Sequence, residues 1–256
     1  MKLFDSHCHL DDERFAEDWQ QLAADLPGKD VLLAINAGTD LRTSQFGQRL
    51  SQQFSNFRFS AGFHPHEAKA MTDEDFMQIK TLCKDENCVA VGEIGLDYHY
   101  DFSPREVQRE AFERQLALAQ ELDLPVIIHE REALMDTLDI LKKAKNLKGV
   151  MHCFSGSRET AKICLDMGLY ISFCGTLTFK NAVHPLEVAG FVPHDRALIE
   201  TDSPYMTPVP FRGERNDPSF VRLVAERLAS IWKKSLEETA ECTYNNACTL
   251  FNIKGK

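Results

Sequence analysis

Short apolar runs alternate with longer amphipathic, charged stretches from one end of this 256-residue chain to the other. The apolar runs, rich in β-branched and aromatic residues, predict strands at Leu3 to His9, Val31 to Asn36, Phe57 to Phe63, Val89 to Ile94, Pro125 to His129, Gly149 to Phe154, Leu169 to Phe173 and Ala197 to Glu200. The intervening stretches predict crossover helices over Glu13 to Leu26, Leu41 to Phe54, Asp73 to Lys84, Arg105 to Leu122, Arg131 to Lys145 and Arg158 to Met167. The seventh connection, Asn181 to Phe191, is the least regular, and Ser219 to Lys233 and Leu236 to Phe251 read as two closing helices. Eight β/α units in a chain of this length predict an α/β fold, a TIM-like (β/α)8 barrel forming one domain over residues 1–256. An open doubly wound sheet is the competing arrangement.

The polar residues that end the apolar runs favour the barrel and suggest its chemistry. His7 and His9 close the first run, Glu93 lies in the fourth, His129 and His152 end the fifth and sixth, and Asp202 follows the eighth. Only a closed ring sets a first strand beside an eighth, so these six converge only if the sheet closes. Four imidazoles and two carboxylates at one mouth suit a pair of divalent ions, with zinc, manganese and magnesium all compatible. Positions two apart on a strand share a face, so His7 and His9 can bind one ion, with Asp5 as an orienting group behind them. Glu93 sits in an apolar strand, where an unpaired carboxylate is costly, and is placed to bridge two ions. Asp202 is a ligand and the expected general base. Glu200 shares its parity and competes for the inward position; Asp202 is preferred because it lies farther toward the mouth. Taken singly, each histidine could equally be a satisfied core residue; the set is hard to explain by packing.

Composition narrows the partners. The chain is 43% hydrophobic, enough for a sizeable core, and 29 basic against 39 acidic residues leave a net charge of −10. That balance argues against a broad basic face coating duplex nucleic acid, so an anionic substrate must be gripped locally. No apolar stretch is long enough to span a bilayer, and Met1-Lys2-Leu3 runs directly into a strand-like segment, so a cytoplasmic protein without a membrane partner or an obligate protein partner is expected. The eight cysteines follow no disulfide or zinc spacing and are expected to be reduced, packed thiols, with Cys8 and Cys153 facing the helices.

No nucleophile elbow, P-loop or dinucleotide fingerprint is present. Substrate-contact candidates are His64 in His64-Pro65-His66, and Arg212 and Arg215, which bracket Gly213 in the proline-rich loop from Ser203 to Pro218 and could clamp phosphate oxygens. Lys180 and Asn181 are weaker candidates of that kind; Tyr98 and Tyr205 are near enough to stack on bases, with packing beneath the loop as the alternative.

With these motifs in order, the chain resembles the TatD family of metal-dependent deoxyribonucleases, amidohydrolase-like barrels. The resemblance rests on DSHCHLD at Asp5 to Asp11, GFHPH at Gly62 to His66, GEIGLDY at Gly92 to Tyr98, PVIIHEREA at Pro125 to Ala133, HCFSG at His152 to Gly156 and ETDSPYMTPVPFRGERNDP at Glu200 to Pro218, spread over essentially the whole chain. It implies two divalent ions, one held by His7, His9 and Asp202, the other by His129 and His152, with Glu93 bridging. It also implies exonuclease-like hydrolysis of phosphodiesters at single-stranded or frayed DNA ends by a metal-activated water. Two positions depart from the family pattern, Glu130 for a small residue and Glu214 for a commoner lysine, and both are expected to make the mouth more acidic. Hydrolysis of aminoacyl-tRNA esters at the same site, and a non-catalytic metalloprotein, are the alternatives.

Overall fold

In the computed structural model, which describes residues 1–144 and 147–253, eight parallel strands pair in sequence order. They are β1 (Leu3–Cys8), β2 (Val31–Asn36), β3 (Phe57–Ala61), β4 (Cys88–Asp97), β5 (Val126–Arg131), β6 (Gly149–Met151), β7 (Tyr170–Phe173) and β8 (Ala197–Ile199). Helices α1 (Trp19–Asp25), α2 (Leu41–Gln53), α3 (Asp73–Leu82), α4 (Arg105–Leu122), α5 (Leu134–Lys143), α6 (Arg158–Asp166) and α7 (Val183–Phe191) make the crossovers, and α8 (Val221–Trp232) and α9 (Leu236–Leu250) follow β8. Asp40, Thr72 and Ser235 cap α2, α3 and α9, each in a reciprocal box with the residue three positions on. Such caps satisfy backbone N–H groups that a helix start leaves unpaired.

The ring closes between its ends as a TIM-like barrel must. Cys8 bridges Ser203 in parallel, the Asp202 N–H donates to the His7 carbonyl at 2.9 Å, and the His9 N–H donates to the Ser203 carbonyl at 2.8 Å. Buried Asp5 reinforces the seam: it accepts from the Thr201 N–H (2.8 Å) and hydroxyl (2.6 Å). Asp5 also accepts from the His7 N–H at 3.3 Å, so it braces the first histidine through the backbone and not at the ring.

One apolar cluster shows the barrel interior directly. Phe4, Ile35, Val89, Ile127, Val150, Tyr170 and Leu198 come from seven different strands and pack with Tyr244, Leu250 and Phe251 at the end of the chain. With the ring closed at the seam, a row of one residue from each of seven strands is a layer of the barrel interior. The last helix therefore plugs the end opposite the mouth. Ile127 and Val150 share the parity of His129 and His152, two residues nearer the mouth, so strand alternation carries the interior layer up to the site.

Element boundaries differ from expectation at several places, among them the sixth strand, which ends at Met151 and not at Phe154. The first predicted helix divides into a short turn, Glu13–Phe15, whose start Asp12 caps by accepting from the Arg14 N–H, and α1. β4 runs to Asp97, because Leu96 and Asp97 pair with Glu130 and Arg131 of a β5 that is itself longer than predicted. Glu132 then adopts a left-handed φ of 55°, so α5 starts at Leu134 and not at Arg131. The predicted end of that helix, Lys145, lies outside the described residues.

Candidate metal centre

The six residues that end the strands do meet. At one focus, the Nε2 atoms of His7 and His9 lie 3.0 Å apart, and Asp202 Oδ1 lies 3.7 and 3.6 Å from them. At the other, His129 Nδ1 and His152 Nε2 lie 3.2 Å apart and face Glu93 Oε1 at 3.0 and 2.9 Å. Glu93 Oε2 turns to the first focus, 3.2 Å from His7 Nε2 and 3.7 Å from His9 Nε2. The two groups are not insulated: His7, Glu93 and His152 also form a possible ligand triad, and the His7 and His152 rings stack with centroids 4.2 Å apart.

The far sides of three of the four rings hold these atoms as acceptors; the fourth, His7, buries its Nδ1 with no hydrogen-bond partner among the described residues. His9 Nδ1 lies 3.2 Å from the Ala37 carbonyl, His129 Nε2 lies 3.0 Å from Asp97 Oδ2, and His152 Nδ1 lies 3.3 Å from Glu200 Oε1. In a neutral imidazole the proton goes to the nitrogen facing an oxygen acceptor, which leaves the other nitrogen's lone pair aimed at the focus. Lone pairs of His129, His152 and Glu93 then converge on one buried point, and those of His9, Asp202 and Glu93 on the next, beside His7 Nε2. Such convergence is unfavourable unless a cation or extra protons occupy it, and this donor set suits divalent transition ions. Without an ion the site draws in protons. Burial opposes a charge on His152, yet Glu93 and Glu200 raise its pKa well above the usual value. Burial likewise opposes a charge on His9, but Asp202 and Glu93 push its pKa up to about 9. Glu93 is held well below the carboxylate range because the surrounding imidazoles, His152 foremost, outweigh its burial.

Two further carboxylates, Asp97 and Glu200, support these imidazoles from behind. Asp97 accepts through Oδ1 from the His99 and Tyr100 N–H groups (3.1 and 2.9 Å), while Oδ2 faces both His129 and His66 at 3.0 Å. Glu200 accepts from the Cys153 N–H (2.6 Å) and the Ser172 hydroxyl (2.6 Å) besides meeting His152. Glu200 is fully buried, whereas Asp202, at a φ of 55°, turns its carboxylate toward His7 and His9. The competition between the two therefore resolves by depth. Asp97 and His129 lie 32 residues apart, a spacing that carries no hint of such support; only β4–β5 register brings Asp97 beside the strand of His129.

The substrate-contact candidates separate. His64 lies against the site: its Nδ1 accepts from the His66 N–H at 3.2 Å, so its Nε2 carries the proton and points at Glu93 Oε1, 3.5 Å away. Arg212, Arg215 and Tyr98 do not line the mouth cavity. Arg215 is paired with Asp18 at 2.6 Å and donates to the Arg14 carbonyl; Arg212 covers the Phe179 ring at 3.9 Å and donates to the Thr207 carbonyl. Tyr98 donates to Asp136 at 2.6 Å under Arg105. The proline-rich loop supplies Tyr205 and Met206 to the cavity instead, and the guanidiniums there belong to Arg42 and Arg131. The acidic departures also fall elsewhere: Glu130 accepts from the Ala133 N–H, Glu214 is exposed, and neither lines the cavity, whose carboxylates beyond the ligands include Asp11, Asp12, Glu13, Glu67 and Asp97. All eight cysteines are free thiols. Cys8 is buried, and Cys153 takes a φ of 42° after β6 ends, with its sulfur 2.7 Å from that of Cys174.

A closed parallel barrel carrying converging His, Glu and Asp ligands at the C-terminal ends of its strands defines a metal-dependent hydrolase. The family model described as TatD related DNase matches residues 4–252, and the chain belongs to that family. It is 44% identical over 253 residues to the uncharacterized metal-dependent hydrolase YabD of Bacillus subtilis strain 168, covering 98% of this chain and 99% of that one. It is 35% identical over 259 residues to the 3'-5' ssDNA/RNA exonuclease TatD of Pantoea vagans, covering 98% and 100%. Among solved structures, the TatD homolog YJJV of Escherichia coli K12 superposes with a TM-score of 0.92 at 30% identity, over 98% of both chains.

Proposed function

We propose that this hydrolase uses two divalent ions to cleave phosphodiesters from the ends of single-stranded or frayed DNA. The observation that carries the reading is the split allegiance of Glu93, one oxygen toward His7 and His9 and the other toward His129 and His152. A relative named as a single-strand exonuclease supports the substrate class. Bound there, the ions would lower the pKa of a water and offset charge on the attacking and leaving oxygens.

The chain's own groups supply the rest. Asp202 accepts the proton of the attacking water; the imidazoles about it hold its pKa below the usual value against its burial, so it is a carboxylate at neutral pH. His64 is kept neutral by burial, and its Nε2–H is a donor for a phosphate oxygen. Arg42 and Arg131 give the cavity two guanidiniums, the residue type suited to bidentate phosphate recognition. The cavity, about 860 Å³, admits a strand end. At a net charge of −10 the protein has no broad basic face to hold the middle of a duplex.

The test is nucleotide release from end-labelled single-stranded DNA by metal-loaded protein, beside amino acid release from charged tRNA. Asp202→Asn is expected to keep most of its DNA affinity, measured by fluorescence anisotropy, and to lose about 100- to 10,000-fold in turnover. Nucleotide release by Asp202→Asn at the parent rate would remove Asp202 as the base. Turnover of charged tRNA with intact DNA would replace the substrate assignment.

A further inference from the structure

The loop between β4 and α4 displays two large apolar rings to solvent at the cavity rim. Tyr100 is 47% exposed and Phe102 55% exposed, and the pair stacks with centroids 5.3 Å apart and planes 26° apart. Met77, Met135 and Val183 are exposed but do not line the cavity, whereas these two share its wall, as does Tyr205 from the proline-rich loop. Exposed aromatic area costs solubility, and the loop does nothing to hide it.

The backbone under these rings is held at several points. Asp97 Oδ1 accepts from the Tyr100 N–H, Lys69 Nζ donates to the Phe102 carbonyl at 2.8 Å, and Gln108 Nε2 donates to the Asp97 and Ser103 carbonyls at 3.1 and 2.8 Å. The Ser103 hydroxyl, fully buried, donates to the His66 carbonyl at 2.8 Å. The rings are therefore preorganised, and a flat ligand laid on them pays little to order the loop. They also sit in register with the ligand cluster. His66 meets both edge-on, with centroids 5.3 Å from Tyr100 and 4.8 Å from Phe102, and shares the Asp97 carboxylate with His129. Phe102 is thus one ring beyond the metal ligands. Arg131 lays its guanidinium over Tyr100, 4.7 Å from the centroid, and faces the same cavity.

We propose that Phe102 and Tyr100 form a base-stacking subsite, and that Arg131 pairs with the phosphate attached to the stacked nucleotide. The ligand class is a single-stranded nucleotide segment, recognised by the face of a base adjoining the reacting phosphodiester. An aromatic face accepts any base, so the subsite selects for an unpaired base and not for sequence. A base still within a duplex is stacked on its neighbours and cannot lie on Phe102 without leaving them. Arg131 adds a charge beside a π-face, the pairing that single-strand-binding grooves use. The proposal rests on the nuclease reading above.

The experiment uses short oligothymidylates, intact or carrying one abasic residue at either of the last two positions of each end. Binding is measured by anisotropy and cleavage is followed separately. The parent should bind at least one abasic probe about 5- to 150-fold more weakly than the intact strand, the range for one stacked base. Phe102→Ala should bind the intact strand as weakly as that probe and lose the discrimination, while Phe102→Tyr should retain it. Arg131→Ala should weaken both probes equally and flatten the salt dependence of binding. Phe102 is more than half exposed, so a thermal melt is expected to show the Ala variant folded. Equal binding of intact and abasic probes by the parent, or undiminished discrimination in Phe102→Ala, would overturn the subsite. Base discrimination without any cleavage would instead overturn the nuclease reading and leave the subsite standing.

Discussion

Replacing Asp97 by Asn removes one charge while keeping the shape, and its consequence can be followed atom by atom. Burial alone would raise the Asp97 pKa; the His129 and His66 hydrogen bonds and the Tyr100 N–H outweigh it and hold the carboxyl far below its ordinary range. An Asn oxygen can satisfy only one side of this arrangement. If it keeps the His99 and Tyr100 N–H groups at 3.1 and 2.9 Å, its NH2 faces the Nε2 atoms of His129 and His66, which the carboxylate had met at 3.0 Å. His129 must then become an acceptor at Nε2, and its proton moves to Nδ1, the atom aimed at Glu93 and His152. A protonated Nδ1 cannot bind a metal. Returning the proton to Nε2 leaves two donors opposed. The cost is of the size seen for supporting carboxylates of metal-binding histidines, about 10- to 100-fold in affinity, or roughly 1.4 to 2.7 kcal/mol. The loss should fall on the ion beside His129 and spare the one held by His7, His9 and Asp202. Calorimetric titration of metal-free protein with manganese or zinc, checked by elemental analysis after dialysis, should therefore show one step weakened and one kept. Two steps of parental affinity in Asp97→Asn would refute the tautomer argument; equal weakening of both would refute the division into two foci.

Other substitutions probe separate links. Glu93→Gln removes the bridging charge, so both ions should be lost together in dialysis, and retention of two equivalents would contradict bridging. Chelation should lower the melting temperature, because ions that bind only the folded state stabilise it by mass action, and re-addition should restore it; an unchanged melt would mean that the folded protein holds no ion. Gly95→Ala should leave little folded protein in expression and melting assays: Gly95 has a φ of 142°, and a Cβ there would run into the His129 carbonyl. Arg42→Ala should lower the salt slope of single-strand binding by about 0.7 for one lost phosphate contact, whereas Arg215→Ala, already tied to Asp18, should not change it.

Much of this protein was legible in one dimension. Alternation of apolar and amphipathic segments, with a period of two inside each strand, determines the β/α repeat and therefore which side chains share the barrel interior. Polar residues at the ends of apolar runs stand out for the same reason: a strand that is buried on both faces accommodates His129, His152 or Glu93 only where each finds a partner. Among the described residues no helix is long and apolar enough to cross a membrane, in line with the hydropathy of the chain. What only the tertiary structure decided depends on register and on loop paths. Offsets between neighbouring strands place Asp97 behind His129, and the turn after β8 places Glu200 beneath His152 while lifting Asp202 into the site. The path of the proline-rich loop sends Arg212 and Arg215 to structural partners, although their spacing in sequence suits a phosphate clamp, while the start of α2 and the end of β5 bring Arg42 and Arg131 to the cavity. Charge and spacing cannot make that distinction, because a guanidinium satisfied by a local carboxylate and one facing a cavity have the same sequence; the difference is which oxygen the folded chain puts within reach.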